Sequence, residues 1–479
     1  MGTNELSGMK VTVMGLGLHG GGVASARYCL ANGAEVTVTD LREEAALSSS
    51  VEALSGLAIR FVLGTHEEDD FSGADMVIKN PAVRRDVPLL LKARRIETDI
   101  SLFLSQSDHP LLVVTGTKGK SSTASAAHHI LDGFGSGARL GGNITHSPLN
   151  FVGEVSPTET VVLELSSFQL GDLVFAARFN DQRTSRPRDF SPRHRPIDPN
   201  VSVITNIYRD HLDYYGSMEP YVADKRAIYR TQRGGWSIFS GTDGYGPGFA
   251  EEAPVPSLLV HAGEPESAID GVYEHNGWGI LSLGEERVPL VPPELKVPGQ
   301  HQRRNLLTAA AAAYLAGAPA ELVKPRVAGF PGIPHRLHYV RSVGAMRFYN
   351  DSAATIPEAC LAAVESFDEP VHLICGGTDK GLDLSPLLTA AKRAESVHLL
   401  AGGATERLVP MLQEQQIPFA GPFSELDELL RRCVRSLGET ERRGVVLFSP
   451  GCSSFELFQN EFDRGNRFVS AVRALGANS

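Results

Sequence analysis

The chain has 479 residues, of which 42% are hydrophobic and 21% charged, so its length allows about three globular domains. The formal net charge of -11 argues against a general binder of nucleic acids or membrane surfaces. Five scattered cysteines without a CxxC pair give no metal or disulfide framework. Together with the lack of a basic-then-apolar signal pattern, they lead us to expect a cytoplasmic protein.

The first segment predicts a Rossmann-like α/β domain. A β-rich run ending at Met14 leads into Gly15-x-Gly17-x-x-Gly20, and "AEVTVTD" predicts a strand that ends at Asp40. These glycines, with an acidic residue about twenty positions further on, match a dinucleotide fingerprint. The alternatives are an NAD-dependent oxidoreductase and a Rossmann-like domain that holds no cofactor. Because no later segment suggests hydride transfer, the pattern favours a nucleotide without a redox role.

The segment "VVTGTKGKSST" predicts a phosphate-binding loop between a strand and a helix that begins at Lys120. Its spacing from Gly116 to Gly119 is shorter than that of the Walker loop. Backbone N–H groups at a helix start converge on phosphate oxygens, and the Lys120 ammonium can neutralise them. Ser121 or Ser122 can ligate Mg²⁺. The alternative, a helix cap with a solvated lysine, is the weaker interpretation of so many glycines, lysines and hydroxyls together.

The segment "LELSSFQL" places Glu164 inside an apolar predicted strand. A buried carboxylate without a partner is unfavourable, so a metal ion or a lysine should accompany it. Mg²⁺ on the neighbouring phosphate loop is one candidate, and a buried salt bridge is the alternative.

A third motif, "ITNIYRDHLDYYGSMEPYVADKRAIY", carries Asp210, His211 and Asp213 after a predicted strand. Lys225 then lies on a predicted helix with Tyr221 at helical spacing, near the core-facing side. Such a lysine either extends its amine towards solvent or is chemically modified. The residues alone favour the first possibility.

The remaining segments predict a third α/β unit and one long loop. The strands "AMRFYND", "PVHLICGG", "SVHLLAGG" and "GVVLFSPG" each run into a turn of small residues, where doubly wound sheets hold ligands. Strand ends and turns in this unit carry His335, Asp351, Lys380, Ser453 and Ser454, which together outline the wall of a cleft. The Arg- and Pro-rich stretch "FNDQRTSRPRDFSPRHRPIDP" is predicted to be an exposed, mobile loop, with contact to an anionic ligand as the alternative.

Taken in order, these motifs resemble those of the Mur ligases, which are ATP-dependent amino-acid ligases of peptidoglycan synthesis. The similar segments are "GTKGKSS", "GGNI", "LELSSFQL", "TNIYRDHLDYYGSMEPYVADK", "PHR", "NDSAAT" and "SPGCSSFELF". The resemblance covers nearly the whole chain and is greatest to the branch that adds D-glutamate to UDP-N-acetylmuramoyl-L-alanine. It implies an acyl-phosphate intermediate. L-Glutamate as the acceptor and a non-catalytic Mur-like binding subunit are the alternatives that we keep.

The resemblance implies an α/β architecture with three domains. These are a Rossmann-like domain for the UDP-substrate (1–108), a central P-loop ATPase-type domain for ATP (109–332) and a C-terminal Rossmann-like domain for the amino acid (333–479). We expect a monomer without nucleic-acid or membrane partners.

The resemblance also implies roles for individual residues, with Lys120, Glu164, His211 and Lys225 as the catalytic set. The implied ATP-binding residues are Gly116, Thr117, Lys118, Gly119, Lys120, Ser121, Ser122, Asn305, Arg336 and Asp351. Those implied for the UDP-substrate are Leu18, His19, Asp40, Arg42, Asn80, Pro81 and Asn143, and those for the acceptor are Thr355, Lys380 and Ser454. Two Mg²⁺ ions are implied, with ligands from Ser121, Glu164, His211 and Lys225. Lys225 would carry a carbamate derived from CO₂, contrary to the preference drawn from the residues alone.

Several positions depart from the pattern of the Mur ligases. Ala353 stands where "NDSKAT" has its lysine, and we hypothesise that Lys380 compensates for the missing charge. Gln302 replaces the usual asparagine after His301. Glu461 occupies the place of an expected aromatic residue, with Phe462 beside it. These changes affect the predicted acceptor site more than the predicted ATP site.

Overall fold

A computed structural model describes residues 6–144, 146–183, 196–265, 270–437 and 443–475 of the chain. The chain divides into two compact units. The first consists of Met1–Pro293 with Asn305–Val327, and the second of Glu294–Arg304 with Ala328–Ser479. Among the described helices, none is both long and apolar enough to cross a membrane.

The first unit contains a sheet of five parallel strands in the order β3-β2-β1-β4-β5. The strands are β1 (Lys10–Met14), β2 (Glu35–Asp40), β3 (Ile59–Leu63), β4 (Met76–Lys79) and β5 (Ile96–Glu97). The helices are α1 (Gly21–Ala31), α2 (Ser48–Glu52), α3 (Asp69–Ser72) and α4 (Asp99–Gln106). The strand order reverses between β1 and its neighbours β2 and β4, which is where sheets of this kind bind ligands.

A second sheet of nine strands completes the first unit, in the order β14-β13-β12-β11-β10-β9-β6-β8-β7. Strands from β7 to β12 in this order are parallel, and β13 and β14 are antiparallel. The strands are β6 (Leu111–Thr115), β7 (Ala138–Gly142), β8 (Thr160–Glu164), β9 (Val201–Ile204), β10 (Trp236–Ser240), β11 (Ser257–Val260), β12 (Gly271–His275), β13 (Trp278–Leu283) and β14 (Glu286–Val291). The helices are α5 (Lys120–Leu131), α6 (Ser167–Arg183), α7 (Leu212–Tyr215), α8 (Met218–Arg230) and α9 (Gly246–Glu252). Helices α10 (Gln300–Leu315) and α11 (Ala320–Gly329) follow.

The second unit is built on a sheet of six strands in the order β15-β16-β20-β17-β18-β19. Only the edge strand β15 runs antiparallel to its neighbour. The strands are β15 (His338–Val343), β16 (Met346–Asn350), β17 (Val371–Cys375), β18 (Ser396–Leu400), β19 (Ala420–Phe423) and β20 (Gly444–Phe448). The helices are α12 (Pro357–Val364), α13 (Ser385–Arg393), α14 (Gly403–Glu414), α15 (Leu426–Leu437) and α16 (Glu461–Ala474).

The central parallel strands are buried nearly along their whole length. Every residue of β6 and β20 is buried, and so are all residues of β8 after the first. Such apolar, β-branched runs are typical of parallel strands covered by helices on both faces. Polar side chains are therefore left to the strand ends, where they face the loops that follow.

The α/β fold class predicted from the sequence is confirmed, and the predicted helix that begins at Lys120 is present as α5. The loop prediction for 179–199 is wrong in its first part, because α6 continues to Arg183. The Arg183 guanidinium donates to the carbonyls of Ala93 and Leu91, which anchors this end of the helix. Residues 184–195 lie outside the described part of the chain, so the rest of the loop prediction stays untested there. The domain boundaries at 108 and 332 stay predictions.

Candidate active site

Two glycines shape the loop between β6 and α5, and each has a neighbour that leaves no room for a side chain. Gly116 has a φ of 144°, and a Cβ there would collide with the hydroxyl of Thr205. Gly119 has a φ of 83°, and a Cβ there would collide with the amide of Asn305. Other residues rarely adopt such angles, so both positions require glycine. The predicted ATP residue Asn305 is thereby brought against the phosphate loop.

The loop is held from below by Asn206, which the sequence analysis missed. The N–H of Lys118 donates to Oδ1 of Asn206 (2.9 Å), and Nδ2 of Asn206 donates back to the Lys118 carbonyl (3.0 Å). The Thr205 hydroxyl also donates to that carbonyl, at 2.6 Å. The signal that could have revealed this contact is the polar pair "TN" directly after the buried strand β9.

Lys120 and two serines form the first turn of α5. The Lys120 amine donates to the carbonyl of Thr117 at 3.0 Å, so it stays over the loop. Ser121 and Ser122 are partly exposed in the same turn. The free N–H groups of a helix start and the positive end of its dipole favour an anion here. This arrangement suits a polyphosphate with an accompanying cation.

Glu164 ends β8, next to β6 in the sheet, and its side chain is almost fully buried with 1% exposed. Asn143, in the loop after β7, donates from Nδ2 to Oε1 of Glu164 (3.3 Å) and from its backbone N–H to the Glu164 carbonyl (2.7 Å). Gly142 permits this approach because a Cβ there would collide with the same carbonyl. Asn143, which was predicted to bind the UDP-substrate, therefore lies beside Glu164, the predicted metal ligand, rather than at the first sheet.

His211 follows β9 and stands at the start of α7 with an unusual positive φ of 52°. Its imidazole packs against the ring of Phe168, with ring centroids 5.0 Å apart, and its side chain is 46% exposed. The ring is therefore oriented by an aromatic neighbour on α6 while it stays accessible to a ligand.

The Lys225 amine points into the core, so the preference for a solvent-extended amine is wrong. The residue is 2% exposed, and Nζ donates to the carbonyl of Gly116 at 2.7 Å. Burial and, to a smaller extent, the charge of Lys120 together lower the pKa of Lys225 to about 7, against the opposing influence of carboxylates that include Glu164. A large fraction of neutral amine at neutral pH makes this lysine a nucleophile.

These groups fit Mg²⁺ by their chemistry. Mg²⁺ prefers oxygen ligands and keeps several waters, so it needs few protein groups besides substrate phosphates. Within the described ranges, no three His, Cys, Asp or Glu side chains are close enough to hold a metal by themselves. A hydroxyl from Ser121, the Glu164 carboxylate and phosphate oxygens would suffice for one ion. A second ion near His211 would need a further anionic oxygen, such as a carbamate on Lys225.

The predicted UDP residues of the first sheet meet at the ends of β1, β2 and β4. The Gly17 N–H donates to Oδ2 of Asp40 (3.2 Å), and the Arg42 N–H donates to its Oδ1 (3.0 Å). Nδ2 of Asn80 donates to the Gly15 carbonyl at 3.1 Å. Burial would raise the pKa of Asp40, but the hydrogen bonds from Arg42 and Gly17 outweigh it and hold the pKa below its usual value. Asp40 therefore stays ionised and fixes the glycine loop.

The same loops enclose a small cavity beside the start of α1. Asn80, Pro81 and Gly15 line it, together with Gly21 and the buried Asp99 at the start of α4. Leu18 and His19 are exposed at the tip of the glycine loop. Asn80 and Asp99 give the cavity polar groups, and Leu18 gives the tip of the loop an apolar side chain. A nucleotide, which has both polar and apolar parts, suits such a combination.

In the second unit, Asp351 follows β16 and anchors the turn that carries Arg336. The Leu337 N–H donates to Oδ1 of Asp351 (3.0 Å), and the Ser449 hydroxyl donates to Oδ2 (2.6 Å). Burial raises the pKa of Asp351 to about 7, against these hydrogen bonds. His335 precedes Arg336 with a φ of 67°, a strained conformation that its contact with Asn350 helps to maintain.

The predicted acceptor residues follow three neighbouring parallel strands, β16, β20 and β17. Thr355 follows β16, Ser454 follows β20 and Lys380 follows β17. The loops of the last two are joined, because the Thr378 N–H donates to the carbonyl of Ser453 at 3.1 Å. The exposed Lys380 thus lies on a loop that is fixed to the one carrying Ser454.

Beneath these loops lies Arg464, a residue that the sequence analysis missed. It is fully buried, and its guanidinium donates to the carbonyls of Ser352 (2.8 Å), Cys452 (3.0 Å) and Ser453 (3.0 Å). Burial lowers its pKa to about 10, which leaves it cationic at neutral pH. Within the described part of the chain, its hydrogen-bond acceptors are all uncharged. Ala353, the departure noted above, follows Ser352, so a buried cation lies close to the position that lacks its lysine.

Comparisons with known proteins identify relatives of this chain. A family model described as "Mur ligase MurD-like, N-terminal domain" matches residues 9–101, and one described as "Mur ligase middle domain" matches residues 188–313. A curated protein of Treponema pallidum (strain Nichols), named UDP-N-acetylmuramoylalanine–D-glutamate ligase, is 41% identical, with 98% of each chain covered. A protein of the same name from Roseiflexus sp. (strain RS-1) is 36% identical, with 98% of this chain and 100% of the relative covered.

Solved structures share the fold at much lower identity. A UDP-N-acetylmuramate–alanine ligase from Thermotoga maritima superposes with a TM-score of 0.54 at 19% identity, covering 97% of this chain and 99% of its own. A UDP-N-acetylmuramoyl-L-alanyl-D-glutamate–2,6-diaminopimelate ligase gives a TM-score of 0.55 at 16% identity, covering 94% of this chain and 89% of its own.

Proposed function

This chain belongs to the Mur ligase family, and from that membership we infer that it joins D-glutamate to UDP-N-acetylmuramoyl-L-alanine with ATP in peptidoglycan synthesis. The observation that carries the inference is the meeting of Lys120, Glu164 and Lys225 around the phosphate loop. The amines of Lys120 and Lys225 donate to carbonyls of the loop between β6 and α5, and Glu164 ends β8 beside β6. Transfer of a phosphoryl group requires such a preorganised, positive surface.

The first step is transfer of the γ-phosphoryl group of ATP to the carboxylate of the UDP-substrate, which forms an acyl phosphate and releases ADP. Reaction between two anions is mainly a problem of positioning and charge. The loop N–H groups and Lys120 would bind the phosphates, and Asn305 would hold the loop from its far side. Mg²⁺, bound through Ser121 and Glu164, would neutralise charge on the phosphoryl group.

Lys225 is proposed to carry a carbamate, which would provide a second Mg²⁺ site together with His211. Reaction with CO₂ requires the neutral amine, which burial favours here. The hydrogen bond to the Gly116 carbonyl holds the amine beside the phosphate loop, so the product would be formed next to the place where phosphate binds.

The second step is attack of the amine of D-glutamate on the acyl phosphate, with release of phosphate. Thr355, Lys380 and Ser454 would bind the amino acid, with Lys380 and the loop N–H groups opposite its carboxylates. Arg336 and Asp351 are proposed as ATP contacts. The UDP part would lie across the glycine loop of β1, near Leu18, His19, Asp40, Arg42, Asn80 and Pro81, and Asn143 would contact the same substrate nearer to Glu164.

Three further features belong to the proposal. The domain boundaries would fall at 108 and 332. The protein would act as a monomer without nucleic-acid or membrane partners. It would work in the cytoplasm, where ATP is available and where five buried free thiols stay reduced.

The deciding experiment measures phosphate release with UDP-N-acetylmuramoyl-L-alanine, ATP and Mg²⁺ against a panel of D- and L-amino acids. Release that depends on both the UDP-substrate and D-glutamate is expected. Preference for L-glutamate would show that the acceptor is L-glutamate rather than D-glutamate. Absence of any phosphate release would indicate a binding subunit without catalytic activity. A change in NAD(P)H absorbance would instead favour an oxidoreductase.

A further inference from the structure

A buried cluster of four charged side chains joins the first sheet to two helices of the second. Nζ of Lys79 lies 2.5 Å from Oδ2 of Asp172, and Nε of Arg85 lies 2.8 Å from Oδ1 of the same carboxylate. Nη2 of Arg85 also lies 2.6 Å from Oδ2 of Asp224. Asp172 belongs to α6 and Asp224 to α8, whereas both cations follow or end β4. Two cations thus balance two carboxylates, with Lys79 and Asp172 buried and with Arg85 and Asp224 partly exposed (23% and 15%).

The fold makes room for this cluster at one glycine. A Cβ on Gly171 of α6 would collide with Nη2 of Arg85 and with the Asp224 carboxylate. Gly171 lies in a helix, where glycine is unfavourable relative to alanine. The close approach of Arg85 to both helices therefore depends on a residue that weakens α6 locally.

The contacts of Arg85 lead towards three of the four proposed metal ligands, namely His211, Lys225 and Glu164. Its Nη2 donates to the carbonyl of Phe168 at 3.3 Å, and the ring of Phe168 supports the imidazole of His211. Asp224 immediately precedes Lys225 on α8. Phe168 and Asp172 lie on α6, the helix that follows Glu164 and β8.

A fixed Asp224 also fixes the direction of its neighbour. Successive residues of an α-helix are about 100° apart around its axis, because each turn has about 3.6 residues. The Asp224 carboxylate is held by Arg85 on one side and by the hydroxyl of Tyr215 (2.9 Å) on the other, and these contacts oppose rotation of α8. This orientation of α8 is the one in which the Lys225 amine donates to the Gly116 carbonyl.

We propose that Arg85, from the segment that carries the UDP-substrate residues, is a positioning residue that sets Lys225 and His211 in place for the ligation. It touches neither substrate nor metal and acts through Asp224, Asp172 and Phe168. The proposal rests on the proposed function. Because Lys79 is adjacent to Asn80 and shares Asp172 with Arg85, the same cluster fixes the UDP site relative to the phosphate loop.

The test compares Arg85→Met and Arg85→Lys with the control Arg84→Met. Arg84 is the neighbouring arginine, but it is 53% exposed, and it contacts Asp86 and the ring of Tyr214 rather than α6 or α8. Arg85→Met is expected to lower kcat for phosphate release by about a hundredfold, as small misplacements of reacting groups do, with the KM for ATP nearly unchanged. Arg85→Lys keeps the positive charge but loses the planar guanidinium that contacts two carboxylates at once, so its kcat should lie between those of Arg85→Met and the wild type. Arg84→Met should stay within about twofold of the wild type.

A second readout does not depend on turnover. Each protein is incubated with isotopically labelled bicarbonate and Mg²⁺, and the lysine carbamate is measured by carbon NMR, with Lys225→Ala as the blank. The wild type and Arg84→Met should give the signal, and Arg85→Met should lose most of it. Thermal unfolding identifies folded variants. If Arg85→Met does not fold, the kcat and the carbamate signal of Arg85→Lys test the proposal.

A folded Arg85→Met or Arg85→Lys with wild-type kcat and carbamate signal would overturn the proposal. So would a loss confined to the KM for the UDP-substrate, since that would make Arg85 a part of substrate binding alone. Failure of the proposed function gives a different pattern, because the wild-type protein itself would then release no phosphate with D-glutamate.

Discussion

Replacing Lys225 by methionine should stabilise the protein at neutral pH while it abolishes ligation. The wild-type amine is 2% exposed, and burial lowers its pKa from 10.5, the value of an exposed lysine, to about 7. A difference of this size corresponds to roughly 5 kcal/mol between the two protonation states, taken as an upper estimate. Methionine has a similar length and no charge, so it removes this penalty. It cannot carry a carbamate, so activity should be lost.

The sign of the pH dependence follows from where the proton is bound. Between about pH 7 and pH 10 the unfolded chain keeps a proton on Lys225 that the folded protein has released. The wild-type free energy of unfolding should therefore rise with pH relative to that of Lys225→Met. The gap between the two proteins should shrink by about 3 kcal/mol from about pH 7 to about pH 9.5.

Urea unfolding of both proteins in CO₂-free buffer, at several pH values across this window, measures the gap. Groups that titrate in the same way in both proteins cancel from the difference. A gap that stays constant to within about 1 kcal/mol would refute a depressed pKa at Lys225, and with it the reason for a reactive amine. Phosphate release by Lys225→Met at the wild-type rate would refute the role of the lysine in catalysis.

Three other substitutions test separate parts of the site by steady-state kinetics. Lys120→Ala should lower kcat by about a hundredfold or more, since loss of one preorganised charge contact in the transition state costs roughly 3 kcal/mol; near-normal turnover would contradict the phosphate-loop assignment. Lys380→Ala should raise the KM for glutamate steeply and leave the KM for ATP nearly unchanged. Adding Ala353→Lys should recover part of the lost glutamate affinity. If the binding of glutamate and of ATP is weakened equally, Lys380 serves nucleotide binding or domain closure instead. Arg464→Met removes the donor of the Ser352 and Cys452 carbonyls and one of the two donors of the Ser453 carbonyl. It should lower the free energy of unfolding by at least about 2 kcal/mol and raise the KM for glutamate in any folded protein; an unchanged KM would limit Arg464 to a structural role.

Local patterns carried most of the prediction of the fold. The apolar runs before Gly15, Gly116 and Asp351 are strands, and α5 begins at Lys120, as its glycine-rich approach indicates. The end of α6 was harder to predict, because the Arg- and Pro-rich composition starts before the helix stops at Arg183. Hydrogen bonds to distant carbonyls stabilise that last turn, and a local pattern does not contain them.

Contacts between distant residues account for what the sequence could not predict in the site. Helical spacing placed Lys225 on the inner side of α8, but it could not show that the amine reaches Gly116, over a hundred residues earlier. The same holds for Arg85, which pairs with a carboxylate 139 positions away. Arg464 is flanked by Asp463 and Gly465 and lies near Glu461 and Arg467 in the sequence, so nothing local marks it as a fully buried cation of α16.

The order of strands in the two larger sheets has an evolutionary consequence. Lys120, Glu164 and His211 follow or end neighbouring parallel strands, and Thr355, Ser454 and Lys380 do the same in the other sheet. Glu164 is the buried last residue of β8 and Lys120 begins α5, whereas the other four groups lie on connections that follow their strands. Mutations in one connection can change one functional group at a time while the packing of the sheet and its helices stays intact. Selection can then act on the altered activity without a loss of stability. Position 353, where alanine stands in place of the lysine that the resemblance implies, lies on such a connection, between β16 and α12.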